Sequence, residues 1–178
     1  GLAAITLAYP AYMVIIAMGV IIGIGASSLA ALQLGKKKLS RALDIVHNAF
    51  SLCILTGAVF TVAGLIFCET SISILGASGP ALAFARDYLR IIFAGSVFMI
   101  LSVALEPLVR NDGNPRLCMN IMIAGVIVNL VLDYLFIMRM GTGMMGAAFA
   151  TIVSFALPAL LFMNYLFGRE AKLKLRLK

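Results

Sequence analysis

The sequence has 178 residues, of which 63% are hydrophobic and only 12% are charged, and its formal net charge is +7 at neutral pH. A soluble globular domain carries about a quarter charged residues, so this composition excludes that class and indicates a membrane protein. The apolar residues form continuous runs without two-residue alternation, which favours membrane-spanning helices over a transmembrane barrel. At roughly 20 apolar residues per crossing, we predict an all-α, polytopic helical bundle of about five transmembrane helices.

Five apolar runs in chain order predict a bundle over residues 1–168, with spans at about residues 5–34, 45–68, 81–109, 117–138 and 147–167. In the first span, Gly19, Gly23 and Gly25 form a stripe of small residues, which predicts close packing against another helix of the bundle. Pro107 and Pro158 lie inside the third and fifth spans and are candidate bending points. Residues 169–178 are basic, and we interpret them as a cytoplasmic linker at the membrane interface.

The distribution of basic residues predicts the orientation of the spans. Eleven lysines and arginines fall in the loop after the first span, the loop after the third span and the tail, whereas three fall on the other side. Basic loops face the cytoplasm in most multispan proteins, so we expect the first span to start outside. The simplest explanation of that orientation is one further helix before Gly1.

Asp133 is a carboxylate inside an otherwise apolar run, where an ionised Asp costs about 3 kcal/mol, and such a residue is functional by default. Asn129 lies four residues earlier on the same helix face. After a glycine-rich turn, the next helix carries Thr151 at a similar depth. Carboxylate, amide and hydroxyl oxygens suit a hard cation such as sodium, and a desolvated carboxylate can carry a proton instead. The structural alternative is an interfacial Asp133 that is paired with Arg139 or solvated.

Other chemical signals in the sequence are weak. The three cysteines, Cys53, Cys68 and Cys118, lie in or beside apolar runs without the spacing of metal ligands, and we interpret them as small buried hydrophobic residues. No nucleophile with a nearby base and no phosphate-binding loop appears, so we predict no enzyme activity. The basic residues lie in short loops, which indicates membrane topology and not nucleic-acid binding.

Several blocks, in this order along the chain, resemble the amino-terminal half of a MATE (multidrug and toxic compound extrusion) transporter. They are IGIGASSLAALQLGKKKLSRA, ILGASGPALAFARDYLRI, LVRNDGNPR, NLVLDYLFI and GMMGAAFAT. The resemblance implies a twelve-helix antiporter made of two six-helix lobes, of which this chain would supply the second to sixth helices. The first helix and the carboxy-terminal lobe would be its missing partners.

The resemblance also implies the function. Such transporters export cationic or amphipathic drugs across the bacterial or archaeal plasma (inner) membrane, by alternating access, in exchange for sodium ions or protons. The amino-lobe cation site of the family contains an N-x-x-x-D pair on the fifth helix and a threonine on the sixth, which match Asn129, Asp133 and Thr151. A further Asp on the first helix of the family has no counterpart here. The coupling ion is the only cofactor implied.

Glu106 and Tyr88 are candidates for the substrate path. Glu106 lies four residues before Arg110, so an interfacial ion pair is the simpler interpretation, and a carboxylate that attracts cationic substrates is the alternative. Tyr88 and Phe93 would offer aromatic faces to an organic cation.

Two other functions remain open at this point. A lipid-linked sugar flippase of the same broad superfamily would predict a cationic cavity with several buried arginines, and this chain has almost none in the middle of its spans. A non-transporting membrane scaffold would predict that Asp133 tolerates replacement.

Overall fold

The structure is a computed structural model that describes residues 2–67 and 80–168, together with residues 171 and 173. The described chain forms six α-helices: α1 Leu2–Gly35, α2 Leu39–Ile66, α3 Pro80–Ala94, α4 Ser96–Asn111, α5 Pro115–Asp133 and α6 Gly143–Phe167. A π-helical segment, Tyr134–Arg139, continues α5. The described residues contain no β-strand, and the predicted all-α fold is confirmed.

Four helical segments are long and apolar enough to cross a membrane: Tyr9–Gly35, Leu39–Ile66, Pro115–Arg139 and Gly143–Phe167. A bent pair, Arg86–Ala94 with Ser96–Asn111, provides the fifth when it is counted as one span. The predicted number of about five spans is therefore confirmed. The end of the predicted second span, at residue 68, and the turn that follows it lie outside the described residues.

The third predicted span is not one continuous helix, because the chain breaks at Gly95 and the two parts meet at 53°. The span predicted for residues 81–109 thus consists of two helices, α3 and α4, with a bend between them. Gly95 and Ser96 form a glycine–serine pair, which is a common cause of sharp helix kinks. Pro107 and Pro158, the predicted bending points, lie inside α4 and α6, which continue through them.

Helix α2 supports this bend with hydroxyl groups and with a close contact. The Thr61 hydroxyl is 3.0 Å from the carbonyl oxygen of Phe93, and the Ser96 hydroxyl is 3.1 Å from that of Gly57. A Cβ atom at Gly64 would lie 2.2 Å from the ring of Phe93, so only glycine leaves room for this ring. The bend therefore lies directly against α2.

Glycines also allow the close packing of α1 on α4. A Cβ atom at Gly23 would lie 2.7 Å from the Cα atom of Ala104, and one at Gly19 would lie 3.1 Å from the carbonyl oxygen of Ile100. Nothing lies within 4 Å of the corresponding position at Gly25. The stripe of small residues thus packs within the bundle, as predicted, through two of its three glycines.

Helix α4 lies at the centre of the bundle and packs against α1, α2, α5 and α6. Its side chains Met99, Ile100, Leu105 and Leu108 are fully buried. By contrast, α5 buries only Cys118, Ile121 and Gly125 along its length, so most of its surface is available to lipid or to other helices.

One end of the bundle contains the loops that join α1 to α2 and α4 to α5, together with the end of α6. We call it the basic end because it carries Lys36, Lys37, Lys38 and Arg116. Hydrogen bonds connect its helices: the Asn111 amide donates to the Ser27 carbonyl (3.1 Å), and the Ser27 hydroxyl donates to the Pro107 carbonyl (2.9 Å). Of the predicted basic linker at 169–178, the structure describes only residues 171 and 173, and both are buried.

Candidate functional site

A cavity of about 460 Å³ lies between α1, α3, α4, α5 and α6. Its lining combines aromatic, hydroxyl, amide and apolar side chains: Tyr9, Tyr12, Tyr88, Ser102, Met122, Gly125, Val126, Asn129, Leu130, Thr151, Ser154, Phe155 and Pro158. None of these described lining residues carries a formal charge. The cavity therefore suits a ligand that is partly apolar and that interacts with neutral polar groups.

Aromatic rings form one wall of the cavity. The rings of Tyr9 and Tyr12, three residues apart on α1, are stacked with their centroids 6.2 Å apart. Tyr12 also contacts Phe155 of α6, with a centroid distance of 6.4 Å and an angle of 59° between the ring planes. Aromatic faces attract organic cations as well as apolar groups, so this wall can bind amphipathic cations.

Asn129 of α5 and Thr151 of α6 line the same cavity, as their shared depth predicts. The two helices can approach because residue 125 is glycine: a Cβ atom there would lie 2.9 Å from the Cγ atom of Pro158. The Thr151 hydroxyl donates a hydrogen bond to the carbonyl of Ala147 one turn earlier (2.8 Å). The hydroxyl oxygen therefore remains able to accept a hydrogen bond or to bind a cation.

Tyr88 lines the cavity and interacts with the side chain of Thr151. Of the two residues predicted for the substrate path, it is the one that the structure places at the cavity. Tyr88 therefore lies in the cavity beside Thr151 of α6.

Asp133 lies one helical turn beyond Asn129, just outside the lining of the cavity. Its Oδ1 atom is buried and has no hydrogen-bond partner among the described residues, and Arg139 therefore does not pair with it. A buried carboxylate oxygen without a hydrogen-bond partner is costly. The π-helical segment begins at the next residue, and π-helical turns occur frequently at functional sites.

Glu106 does not line the cavity. It forms an ion pair with Arg110 four residues later, near the basic end, which is the simpler of the two arrangements predicted for it. The backbone carbonyl of Glu106 also accepts a hydrogen bond from the Cys118 thiol (3.6 Å). Phe93, the other aromatic candidate, packs against Gly64 and is not part of the cavity.

Five aromatic or hydroxyl residues of the cavity were not among the candidates from the sequence: Tyr9, Tyr12, Ser102, Ser154 and Phe155. Ser102 carried a usable signal, because a serine in the middle of an apolar span indicates a polar contact inside the bundle. In the structure its exposed fraction is 1%. The spacing of Tyr9 and Tyr12 was a weaker signal. It places both rings on one face of α1 without indicating what that face meets.

Comparison with known proteins identifies the family. The sequence profile of the MatE family matches residues 1–135. The multidrug export protein MepA of Staphylococcus haemolyticus is 30% identical over 177 residues, which are 99% of this chain but 39% of that relative. The chain thus spans about two fifths of the length of this relative.

Solved structures give the same result. A multidrug resistance MATE family transporter of the MOP superfamily, in an inward-facing conformation, superimposes with a TM-score of 0.93 at 30% identity, over 98% of this chain and 40% of that one. An outward-facing conformation superimposes with a TM-score of 0.93 at 30% identity, over 99% of this chain and 39% of the other. The matched profile covers most of the sequence and the fold agrees over nearly all of it, so the chain belongs to the MatE family, the multidrug and toxic compound extrusion transporters.

Proposed function

We propose that the transporter containing this chain exports cationic or amphipathic drugs in exchange for sodium ions or protons, and that this chain forms most of one lobe. The observation that carries the proposal is the cavity with its aromatic wall, adjacent to a buried carboxylate oxygen of Asp133 that has no hydrogen-bond partner in the described part of the chain. The wall suits the organic substrate, and Asp133 suits the coupling ion. The multidrug export described for MepA supports the same substrate class.

In this proposal, Asp133 binds the coupling ion together with Asn129 and Thr151. The carboxylate supplies the charge, and the amide and hydroxyl oxygens supply neutral ligands of the type that a hard cation such as sodium prefers. With a proton as coupling ion, Asp133 alone would carry it. In either case coupling requires that the ion bind more tightly in one transporter conformation than in the other.

Alternating access then involves this lobe as a unit. The chain resembles the inward-facing and the outward-facing transporter equally, with a TM-score of 0.93 in both comparisons. This equality supports a movement of one lobe against the other, in which each lobe keeps its internal packing. Cation occupancy near Asp133 would bias the position of this lobe.

The lining of the cavity favours a drug exporter over a flippase for lipid-linked sugars. A flippase must bind phosphate groups, which requires arginine or lysine in the cavity. None of the described residues that line the cavity is basic. For localisation, we propose the plasma membrane of a bacterium or archaeon with the basic end in the cytoplasm, and we expect no enzyme activity.

The test uses the full-length transporter in liposomes and follows efflux of a fluorescent cationic dye under an imposed sodium or proton gradient. We expect Asp133→Asn to abolish gradient-driven efflux while the protein still purifies as a monodisperse species. The matched control is Asp44→Asn, which changes an exposed carboxylate near the start of α2 and should leave efflux intact.

The gradient that drives the unmodified protein identifies the coupling ion. Unchanged efflux in the Asp133→Asn variant would refute the role of this carboxylate. Absence of any gradient-driven efflux in the unmodified protein would instead favour the scaffold alternative.

A further inference from the structure

Asp112 is a buried carboxylate at the basic end, only 4% exposed, in the turn between α4 and α5. The next residue, Gly113, has a φ of +105°, a conformation that glycine adopts without strain. This Asp–Gly turn would ordinarily face water. Here it directs the carboxylate towards the end of α6.

Both oxygens of Asp112 accept hydrogen bonds from residues at or beyond the end of α6. The Tyr165 hydroxyl donates to Oδ2 at 2.6 Å, and the backbone N–H of Leu173 donates to Oδ1 at 2.8 Å. Hydrogen bonds to an ionised carboxylate are about twice as strong as those between neutral groups. The two bonds therefore connect the α4–α5 turn to two points of the following chain.

The geometry around Tyr165 makes its bond to Asp112 specific. The Asn114 side-chain amide donates a hydrogen bond to the Tyr165 hydroxyl oxygen, which leaves the hydroxyl proton free to point at Asp112. Leu173 is 0% exposed and Ala171 is 2% exposed. Both described residues after Gly168 are thus packed in the interior and not placed on the surface.

We propose that Asp112 and Tyr165 form a latch that holds the chain after α6 against the α4–α5 turn. The connection towards a second lobe would then depart from Leu173 and not from Gly168, where the last turn of α6 ends. Five residues at roughly 3.4 Å each correspond to about 17 Å of extended chain. The latch shortens the connection that can extend between the two lobes by this length. It therefore limits how far the lobes separate at the basic end. This inference rests on the proposed function only in assuming that a second lobe follows this one in the transporter.

The test measures thiol labelling in the full-length transporter, purified in detergent, with its native cysteines replaced by alanine. Leu173→Cys keeps the backbone N–H that binds Asp112, and its thiol reports on burial. The matched control is Leu39→Cys, because Leu39 lies at the same end and is 49% exposed. We expect a water-soluble maleimide to label Leu173→Cys at least tenfold more slowly than Leu39→Cys.

Opening the latch should remove this protection. Tyr165→Phe keeps the ring and removes only the hydroxyl, and Asp112→Ala removes both acceptors. Labelling of Leu173→Cys should accelerate roughly tenfold with Tyr165→Phe, the equilibrium factor for one hydrogen bond to a charged group, and by more than that with Asp112→Ala, which removes two. Asp112→Asn keeps an oxygen for the Leu173 N–H and should give an intermediate rate.

Two outcomes would overturn the latch. Fast labelling of Leu173→Cys with Asp112 and Tyr165 intact would mean that the segment is not docked. Slow labelling that persists in both Tyr165→Phe and Asp112→Ala would mean that apolar packing alone holds it. Tyr165→Phe decides the matter if Asp112→Ala fails to fold. Labelling does not depend on efflux, so the latch and the proposed function can fail separately.

Discussion

The hydroxyl oxygen of Thr61 on α2 lies 3.0 Å from that of Ser96, the first residue after the break between α3 and α4. Each is also within hydrogen-bond distance of a backbone carbonyl, that of Phe93 for Thr61 and that of Gly57 for Ser96. The two hydroxyl groups have two protons for three hydrogen-bond contacts. The protons are therefore shared among the contact between the hydroxyls and the two contacts with carbonyl oxygens. The bend is thus fastened to α2 by a small polar network inside an apolar bundle.

Replacement of Thr61 by valine keeps the shape of the side chain and removes its hydroxyl. We expect Thr61→Val to reduce the free energy of unfolding by about 1 kcal/mol, the usual size of a hydrogen bond between membrane helices. The thiols of Cys53 and Cys118 are buried, so a thiol-reactive fluorogenic dye reports thermal unfolding in detergent. Thr56→Val on the same helix is the control. An equal loss in both variants would contradict a specific role of Thr61.

Gly23 should not tolerate alanine. The added methyl group would lie 2.7 Å from the backbone of Ala104, which cannot move aside as a flexible side chain can. We expect Gly23→Ala to cost about 2 kcal/mol through overpacking. Gly25→Ala fills open space and should be neutral or stabilise the helix by about 0.5 kcal/mol. The same thermal assay compares the two variants, and an equal unfolding temperature for both would contradict the close packing of α1 on α4.

The aromatic wall should determine affinity for cationic substrates. Tyr12→Ala removes a ring that contacts both Tyr9 and Phe155, so we expect it to weaken binding of a planar cationic dye roughly tenfold. Tyr12→Phe keeps the ring and should stay within about twofold of the unmodified protein. Tyr134→Ala, outside the cavity, is the control. If Tyr12→Phe is as harmful as Tyr12→Ala, the hydroxyl and not the ring provides the contact.

Glu106 should be dispensable for transport. Its ion pair with Arg110 joins residues four apart on α4, where such pairs contribute less than about 0.5 kcal/mol. We expect Glu106→Gln to leave dye efflux and its concentration dependence unchanged. A selective loss of export of cationic substrates, with neutral substrates still exported, would instead indicate that Glu106 contacts the substrate.

The bundle and part of the candidate site were predictable because both follow from local geometry. Continuous apolar runs leave the chain few alternatives to spanning helices. The four-residue spacing of Asn129 and Asp133 fixes their common face. The turn near Gly141 brings Thr151 to the same depth as Asn129. The roles of these residues in coupling stay predictions.

The remaining features depend on contacts that are distant in the sequence. Helix α1 is apolar on all sides, so its sequence does not indicate that Tyr9 and Tyr12 face a cavity. The bend at Gly95 could not be distinguished from bends at the two prolines, because its position depends on Thr61 of another helix. The buried carboxylate of Asp112 accepts hydrogen bonds from Tyr165 and Leu173, which lie 53 and 61 residues further along the chain.

The 53° angle at Gly95 also reduces the hydrophobic mismatch of this span. Helices α3 and α4 have 15 and 16 residues, and as one straight rod they would measure roughly 46 Å at 1.5 Å per residue. That length exceeds a hydrocarbon core of about 30 Å by half. With α4 upright, an inclination of this size reduces the vertical extent of α3 from about 22 Å to about 13 Å. The bent span therefore rises roughly 37 Å in place of about 46 Å, so the bend removes more than half of the mismatch with the core without any tilt of α4.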